Sequence, residues 1–178
     1  MRSSAYALGV GALLLATVGA SGCSSDEAKQ EFTVPTSLCG VSVPPKALSR
    51  LLPADGSHIT FRQDGSVEKG WTLCGVEVDG HAVLNVSQEW IDAGDTARNI
   101  LRHQLVISDQ KSADGGSVAY ADRGAASLLK CRGTGVEKED VSTVVELLKP
   151  GRADETAMGE LIREYTKSLK ARNPCQPD

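Results

Sequence analysis

The sequence predicts an α+β domain, a mostly antiparallel sheet with helices packed on it in the order α-βββ-α-βββ-α, stapled by two disulfides. Three observations lead there. Strand-like segments occur in consecutive runs joined by short turns, which favours antiparallel pairing. Three segments with helical spacing punctuate those runs. Four cysteines beyond residue 23 are spread along the chain at wide intervals. A length of 178 residues, 40% of them hydrophobic and 24% charged, suits one ordinary globular domain and argues against a disordered chain. The net charge of −4 excludes a general nucleic-acid binder, which needs a basic surface to neutralise phosphates, and a polybasic membrane-surface protein.

The first element is an address. Arg2 and the terminal amine precede an apolar run from Ala5 to Val18 containing Leu13-Leu14-Leu15, too short for a stable span and right for an export signal over residues 1–22. Ala20-Ser21-Gly22-Cys23 follows. This segment resembles the lipobox of bacterial lipoproteins, with Ala20 where leucine is usual. The resemblance implies cleavage before Cys23, thioether diacylation of that cysteine, and anchoring on the extracytoplasmic side of the cell membrane. Several acyl chains on one residue hold a protein far better than one does. Residues 23–37 then read as the lipidated cysteine and a polar, acidic, flexible tether, and residues 38–178 as a single globular domain.

Within that domain, Pro44-Pro45 opens a short helix bearing Leu48, Leu51 and Leu52, which Pro53 closes; proline is tolerated there because the first-turn N–H has no helical partner. Ser57 to Gln63 alternates, with Ile59 and Phe61 inward. Gly70 to Val78 and His81 to Trp90 flank Asp79-Gly80, a two-residue hairpin turn signal. Asp95 is placed as the cap of a helix with Ala97, Ile100, Leu101 and Leu105 on one side. Gly115-Gly116 breaks the chain before a strand over Ser117 to Tyr120. Ala125 to Arg132 and Val141 to Leu148 form two more strands around a polar turn, and the second is apolar on both faces, so it wants cover on both sides. From Asp154 to Arg172 the residues Met158, Leu161, Ile162, Tyr165 and Leu169 draw one apolar stripe along a helix.

Removing Cys23 leaves Cys39, Cys74, Cys131 and Cys175, which an exported domain pairs into two disulfides out of three possible connectivities. Chain direction chooses among them. One strand ends at Cys131, the next runs back about 25 Å at roughly 3.3 Å per residue. The last helix returns about 28 Å at roughly 1.5 Å per residue. Cys175 therefore lands beside Cys131, and Cys39–Cys74 follows by elimination. Without C-x-x-C and with such wide spacing, these are structural staples rather than a redox or zinc site.

Few residue patterns in the chain carry chemistry. His58, His81 and His103 are scattered and show no metal-ligand spacing, so neither a metal nor another cofactor is expected. Ser127-Leu128-Leu129-Lys130 matches S-x-x-K, but that nucleophile needs a helix, and a strand sends residues three apart to opposite faces. Gly133-Thr134-Gly135 makes a turn, and Glu137-Lys138-Glu139-Asp140 reads as a charged hairpin tip. Trp90 continues the face of Ala82, Leu84 and Val86 and is placed in the core. Trp71 shares with Leu73 the face opposite Cys74, Val76 and Val78. Core packing is the first reading for it as well, and Trp71 becomes a possible binding surface if that face is only partly covered.

Leu38-Cys39-Gly40-Val41 before a short leucine helix, a strand bearing Cys74, and the hairpin strand Val83-Leu84-Asn85-Val86 together resemble small actinobacterial lipoproteins of unknown function. The strand Val141 to Leu148 and helix Asp154 to Arg172 extend the likeness. The resemblance implies a cell-surface protein that is not an enzyme. The functional expectation is a lipid-anchored binding protein, held at the membrane through Cys23, that engages a protein or cell-envelope partner and no nucleic acid. The alternatives are a small-ligand carrier at the membrane surface and a hydrolase using Ser127 or a histidine.

Overall fold

A computed structural model describes residues 30–66, 70–131 and 139–175. The export segment, Cys23 and the Gly133-Thr134-Gly135 turn lie outside the described residues. The tether ends earlier than its polarity suggests. Gln30 bridges to Gly56, the Glu31 N–H donates to the Gly56 carbonyl at 2.9 Å, and Phe32 is buried, so the chain is docked from Gln30 onward.

The docked chain first makes a small hairpin, β1 (Ser37–Leu38) and β2 (Val41–Ser42), turning at Cys39 and Gly40 with φ of 52° and 75°. Helix α1 (Pro45–Leu51) follows, then β3 (Ile59–Ser66), β4 (Trp71–Val78) and β5 (His81–Asp92). Asp79 and Gly80 both hold positive φ, 49° and 79°, as the tight turn between β4 and β5 requires. Helix α2 (Ala97–Leu105) leads to β6 (Lys111–Ala113), a 3₁₀ turn (Asp114–Gly116), β7 (Val118–Tyr120), β8 (Gly124–Lys130), β9 (Glu139–Leu147) and α3 (Glu155–Lys170). The large sheet is antiparallel throughout, in the order β3-β4-β5-β9-β8-β7-β6. The fold is α+β as expected, with two additions the pattern is too short to reveal: the β1–β2 hairpin and β6.

Strand β9 is central, and both its faces are covered. Val141, Val145 and Leu147 face one side, where α1, α3 and the β1–β2 hairpin close a core around Leu48, Leu51, Met158, Leu161, Ile162 and Tyr165. Val144 faces the other, where Ala97, Ile100 and Leu101 of α2 pack on Ala119, Ala126 and Leu128. These are the α3 face and the α2 face of the sheet. Helix α2 contacts β7, β8 and β9. On the α2 face, among the described residues, Ile91 of β5 packs against the α2 cluster, while the part of the sheet toward β4 and β3 lies open, with Trp71 exposed.

Local chemistry explains the helix ends. Asp154 caps α3, its Oδ1 accepting the Ala157 N–H at 2.9 Å, while Glu155 opens and Lys167 and Lys170 close the helix in the sense the macrodipole favours. In α2 the cap is Thr96, one residue beyond the expected Asp95: Thr96 Oγ1 accepts the Asn99 N–H at 3.2 Å, and Asp95 instead accepts the Thr96 N–H at 2.7 Å. Helix α1 is only seven residues long and is finished by distant side chains. Arg152 donates to the carbonyls of Ser49 and Leu52, and Gln30 Nε2 donates to those of Ser49 and Pro53. Those carbonyls are otherwise orphaned at a helix terminus.

Two core assignments need correcting. Phe61 lies on the α3 face opposite Val76, but β3 is the edge of the sheet and the ring remains 47% exposed. Trp90 lies on the α3 face opposite Val141 and is half-buried rather than enclosed. Asp140 is not at a hairpin tip. It belongs to β9, is fully buried, and accepts the Cys131 N–H at 3.3 Å.

Candidate functional site

Both disulfides join the residues that chain direction pairs. Cys39–Cys74 fastens the β1–β2 hairpin to β4, and Cys131–Cys175 fastens the end of β8 to the chain leaving α3, with Cα separations of 5.7 Å and 5.1 Å. Arg172 adds a second tie at that end of α3 by donating to the Gly40 carbonyl. Cys23 lies outside the described residues.

Ser127 and Lys130 do not form a reacting pair. They lie on one continuous strand, where Ser127 pairs with Thr143 on the α3 face and Lys130 pairs with Asp140 on the other. Ser127 is fully buried and Lys130 is exposed. Ser127 instead belongs to a polar row crossing the sheet, Thr72, Gln88, Thr143 and Ser127, each opposite the next. Gln88 Nε2 donates to Tyr165 Oη at 3.0 Å, which ties the row to α3. Burial pushes the Tyr165 phenol above its ordinary value, so it stays neutral as a hydrogen-bonding group.

The open part of the α2 face carries Trp71. Its ring is 43% exposed, and part of it lies over Gly65, where a Cβ atom would come within 2.8 Å of the indole. The glycine thus provides the space that seats the ring. Leu73 lies one position on along the same face, half-buried. Around them stand Asp64 and Ser87, both opposite Leu73, and Glu89, opposite Trp71. Farther along, the Arg62–Glu77 ion pair closes at 3.0 Å. An apolar centre with a polar rim is the anatomy of a binding patch. The partial cover considered from the sequence is the arrangement observed, and core packing is not.

A concave feature elsewhere was invisible in the sequence. A groove of about 890 Å³ runs between the second half of α3 and the end of β8, with the 3₁₀ turn and the start of α2 on its far side. It exists because β7 is three residues long and β8 seven, so the ladder between them stops at Val118 and Ser127. Lys130, Arg163, Lys167 and Lys170 line it. In the sequence, Lys167, Lys170 and Arg172 suit the α3 macrodipole, and Glu160–Arg163 and Glu164–Lys167 are i,i+3 pairs along the helix. One of those pairs, Glu164–Lys167, is present at 3.5 Å, but Arg163 turns instead to Asp114 at 3.3 Å across the groove mouth. The signal that would have located the groove is the Gly115-Gly116 break, which limits the neighbouring strand.

Asp79 serves the fold. Asp79 accepts the N–H groups of Ser57 and His58, which hold its carboxyl below the ordinary range, and the 84% exposed His58 ring lies 3.6 Å away. Among the described residues no three His, Cys, Asp or Glu side chains gather as metal ligands, and no helix is long and apolar enough to cross a membrane. No family model, curated protein or solved structure matches the chain.

Proposed function

We propose that the protein is a lipid-anchored extracytoplasmic binding protein, tethered through Cys23, that engages a protein or cell-envelope partner without performing chemistry on it. The observation that carries this reading is Trp71 on the open part of the sheet. A solvent-exposed indole held by its own backbone surroundings loses little conformational freedom when covered, and tryptophan is among the side chains enriched at the energetic centre of interfaces. Its polar rim supplies orientation, and the Cys23 anchor supplies proximity to the envelope.

Two measurements test the two halves of the proposal. Mass spectrometry of the mature N-terminus reads lipidation: an acylated Cys23 is expected, and an N-terminus elsewhere or an unmodified thiol overturns the anchor. A photo-crosslinking amino acid placed at position 71 in native envelopes reads the surface, with exposed Val106 as the control position. A discrete adduct at 71 that is missing at 106 is expected. Once the partner is purified, Trp71→Ala should weaken its binding by about tenfold or more, the scale of a central aromatic anchor. Identical crosslinking at both positions overturns the assignment of the face.

A further inference from the structure

The groove beside α3 presents a different kind of surface from the Trp71 face, three strands away across the sheet. Along β8 the backbone groups alternate between neighbours. The Leu128 N–H points away from β9 and donates to the Ser117 carbonyl at 2.8 Å. Lys130, two residues on, therefore turns its N–H and C=O in the same direction, past the point where the ladder to β7 ends. That stretch of sheet edge faces the groove, so the space beside it has the position of a missing strand.

The charge of the groove is equally directional. Asp114 is engaged by Arg163, and Asp95 accepts the Thr96 N–H, so the two carboxylates of the wall have partners. Among the described residues neither Lys130 nor Lys170 lies in an ion pair. Lys167 meets only Glu164 on its own helix, both well exposed, a pair worth little against a better-placed carboxylate.

We propose that this groove binds an extended acidic peptide by strand addition to β8. The peptide backbone pairs with Lys130 and continues the sheet where β7 stops. Every second side chain then points toward α3, where carboxylates meet Lys167 and Lys170. Backbone pairing gives affinity, and the alternating side chains give selectivity, as in other sheet-edge recognition. Exposed sheet edge selects a polypeptide over a lone anion or a lipid headgroup, since neither of those can use the Lys130 N–H and C=O as a ladder. The lysines select an acidic polypeptide over a neutral one.

The test uses the mature protein in detergent and a blocked hexapeptide alternating threonine and glutamate, read by fluorescence anisotropy. Binding is expected, with little or none for the threonine–lysine counterpart. Methylating alternate backbone nitrogens of the peptide removes the donors of one edge and should abolish binding to the unmodified protein. Lys170→Glu should weaken it about tenfold, the scale of bringing like charges together at a binding site. Lys130→Pro deletes one groove-facing N–H at a position where proline is tolerated in a sheet, and should weaken binding well beyond Lys130→Ala. Trp71→Ala should leave it unchanged, which separates this site from the face proposed above. Equal binding of the N-methylated or lysine peptide overturns the proposal. So does failure of the glutamate peptide to bind at millimolar concentration, or binding of phosphatidylglycerol vesicles or inorganic phosphate in its place.

Discussion

Asp154 joins two helices and tests the account of how they are held. Its carboxylate caps α3 through the Ala157 N–H and receives both Nε and Nη2 of Arg50, at the end of α1, at 2.9 Å each. Replacing it with alanine removes both functions. Loss of a cap costs about 1 kcal/mol. The Arg50 pair adds about 0.5 kcal/mol, because the guanidinium is 47% exposed and solvent screens it. Asp154→Ala should therefore destabilise by about 1.5 kcal/mol, or lower Tm by roughly 3–6 °C for a chain of this size. Asparagine is as good a cap as aspartate but carries no charge, so Asp154→Asn should cost only about 0.5 kcal/mol.

The pH dependence has a definite sign. The Ala157 N–H foremost, and then Arg50, hold the carboxyl below its ordinary value of 3.8, so the folded state prefers the ionised form. That stabilisation is complete above the unfolded value and is lost as pH falls through the lowered folded one. Urea unfolding at neutral and acid pH measures it. The gap between the native protein and Asp154→Asn should close below about pH 4. Equal damage from alanine and asparagine, or a gap that persists in acid, would refute the assignment of the cap as the larger contribution.

Three further outcomes follow from the same structure. Removing the 44-residue crosslink with Cys131→Ala and Cys175→Ala should cost about 4 kcal/mol in the chain-entropy model and speed hydrogen exchange in the last turns of α3; a loss under about 1 kcal/mol by urea unfolding would contradict it. Gly159→Ala should lower Tm although alanine is the better helix former by about 1 kcal/mol, because the new methyl would sit 2.7 Å from the Tyr120 ring; a raised Tm would show that the ring gives way freely. Tyr165→Phe should cost about 1 kcal/mol in urea unfolding by leaving Gln88 Nε2 without its partner, and no change would mean that the bond contributes nothing net.

What could be read in advance divides along physical lines. The α3 stripe, the Asp79-Gly80 turn and the two-faced β9 are local patterns whose period or turn chemistry is written in consecutive residues. The cysteine pairing was legible because strand and helix rises convert chain direction into distance. Phe61 and Trp90 were misplaced because alternation identifies a face but not whether anything lies over it. Their exposure depends on strand order, and β3 at the edge is a fact about the whole sheet. The groove escaped for a similar reason: it arises from the difference in length between β7 and β8, and a missing stretch of strand leaves no residues to notice. Trp71 was legible as a condition, and the limited reach of α2 resolved it.

The position of β9 has a kinetic meaning. It is the last strand in the chain and the middle one in the sheet. A chain delivered amino end first can assemble β3, β4 and β5 as hairpins, and then β7 with β8, as two separate half-sheets. Each half waits with a long bonding edge uncovered, β5 on one side and β8 on the other, until residues 139–147 arrive and occupy both at once. Helix α1 waits too, since Arg152 follows later still. Such wide separations in sequence slow folding, and open edges are the surfaces on which chains pair wrongly. Completion of the native state is thus tied to delivery of residues 139–175, and loss of that segment should leave an aggregation-prone intermediate rather than a smaller folded domain.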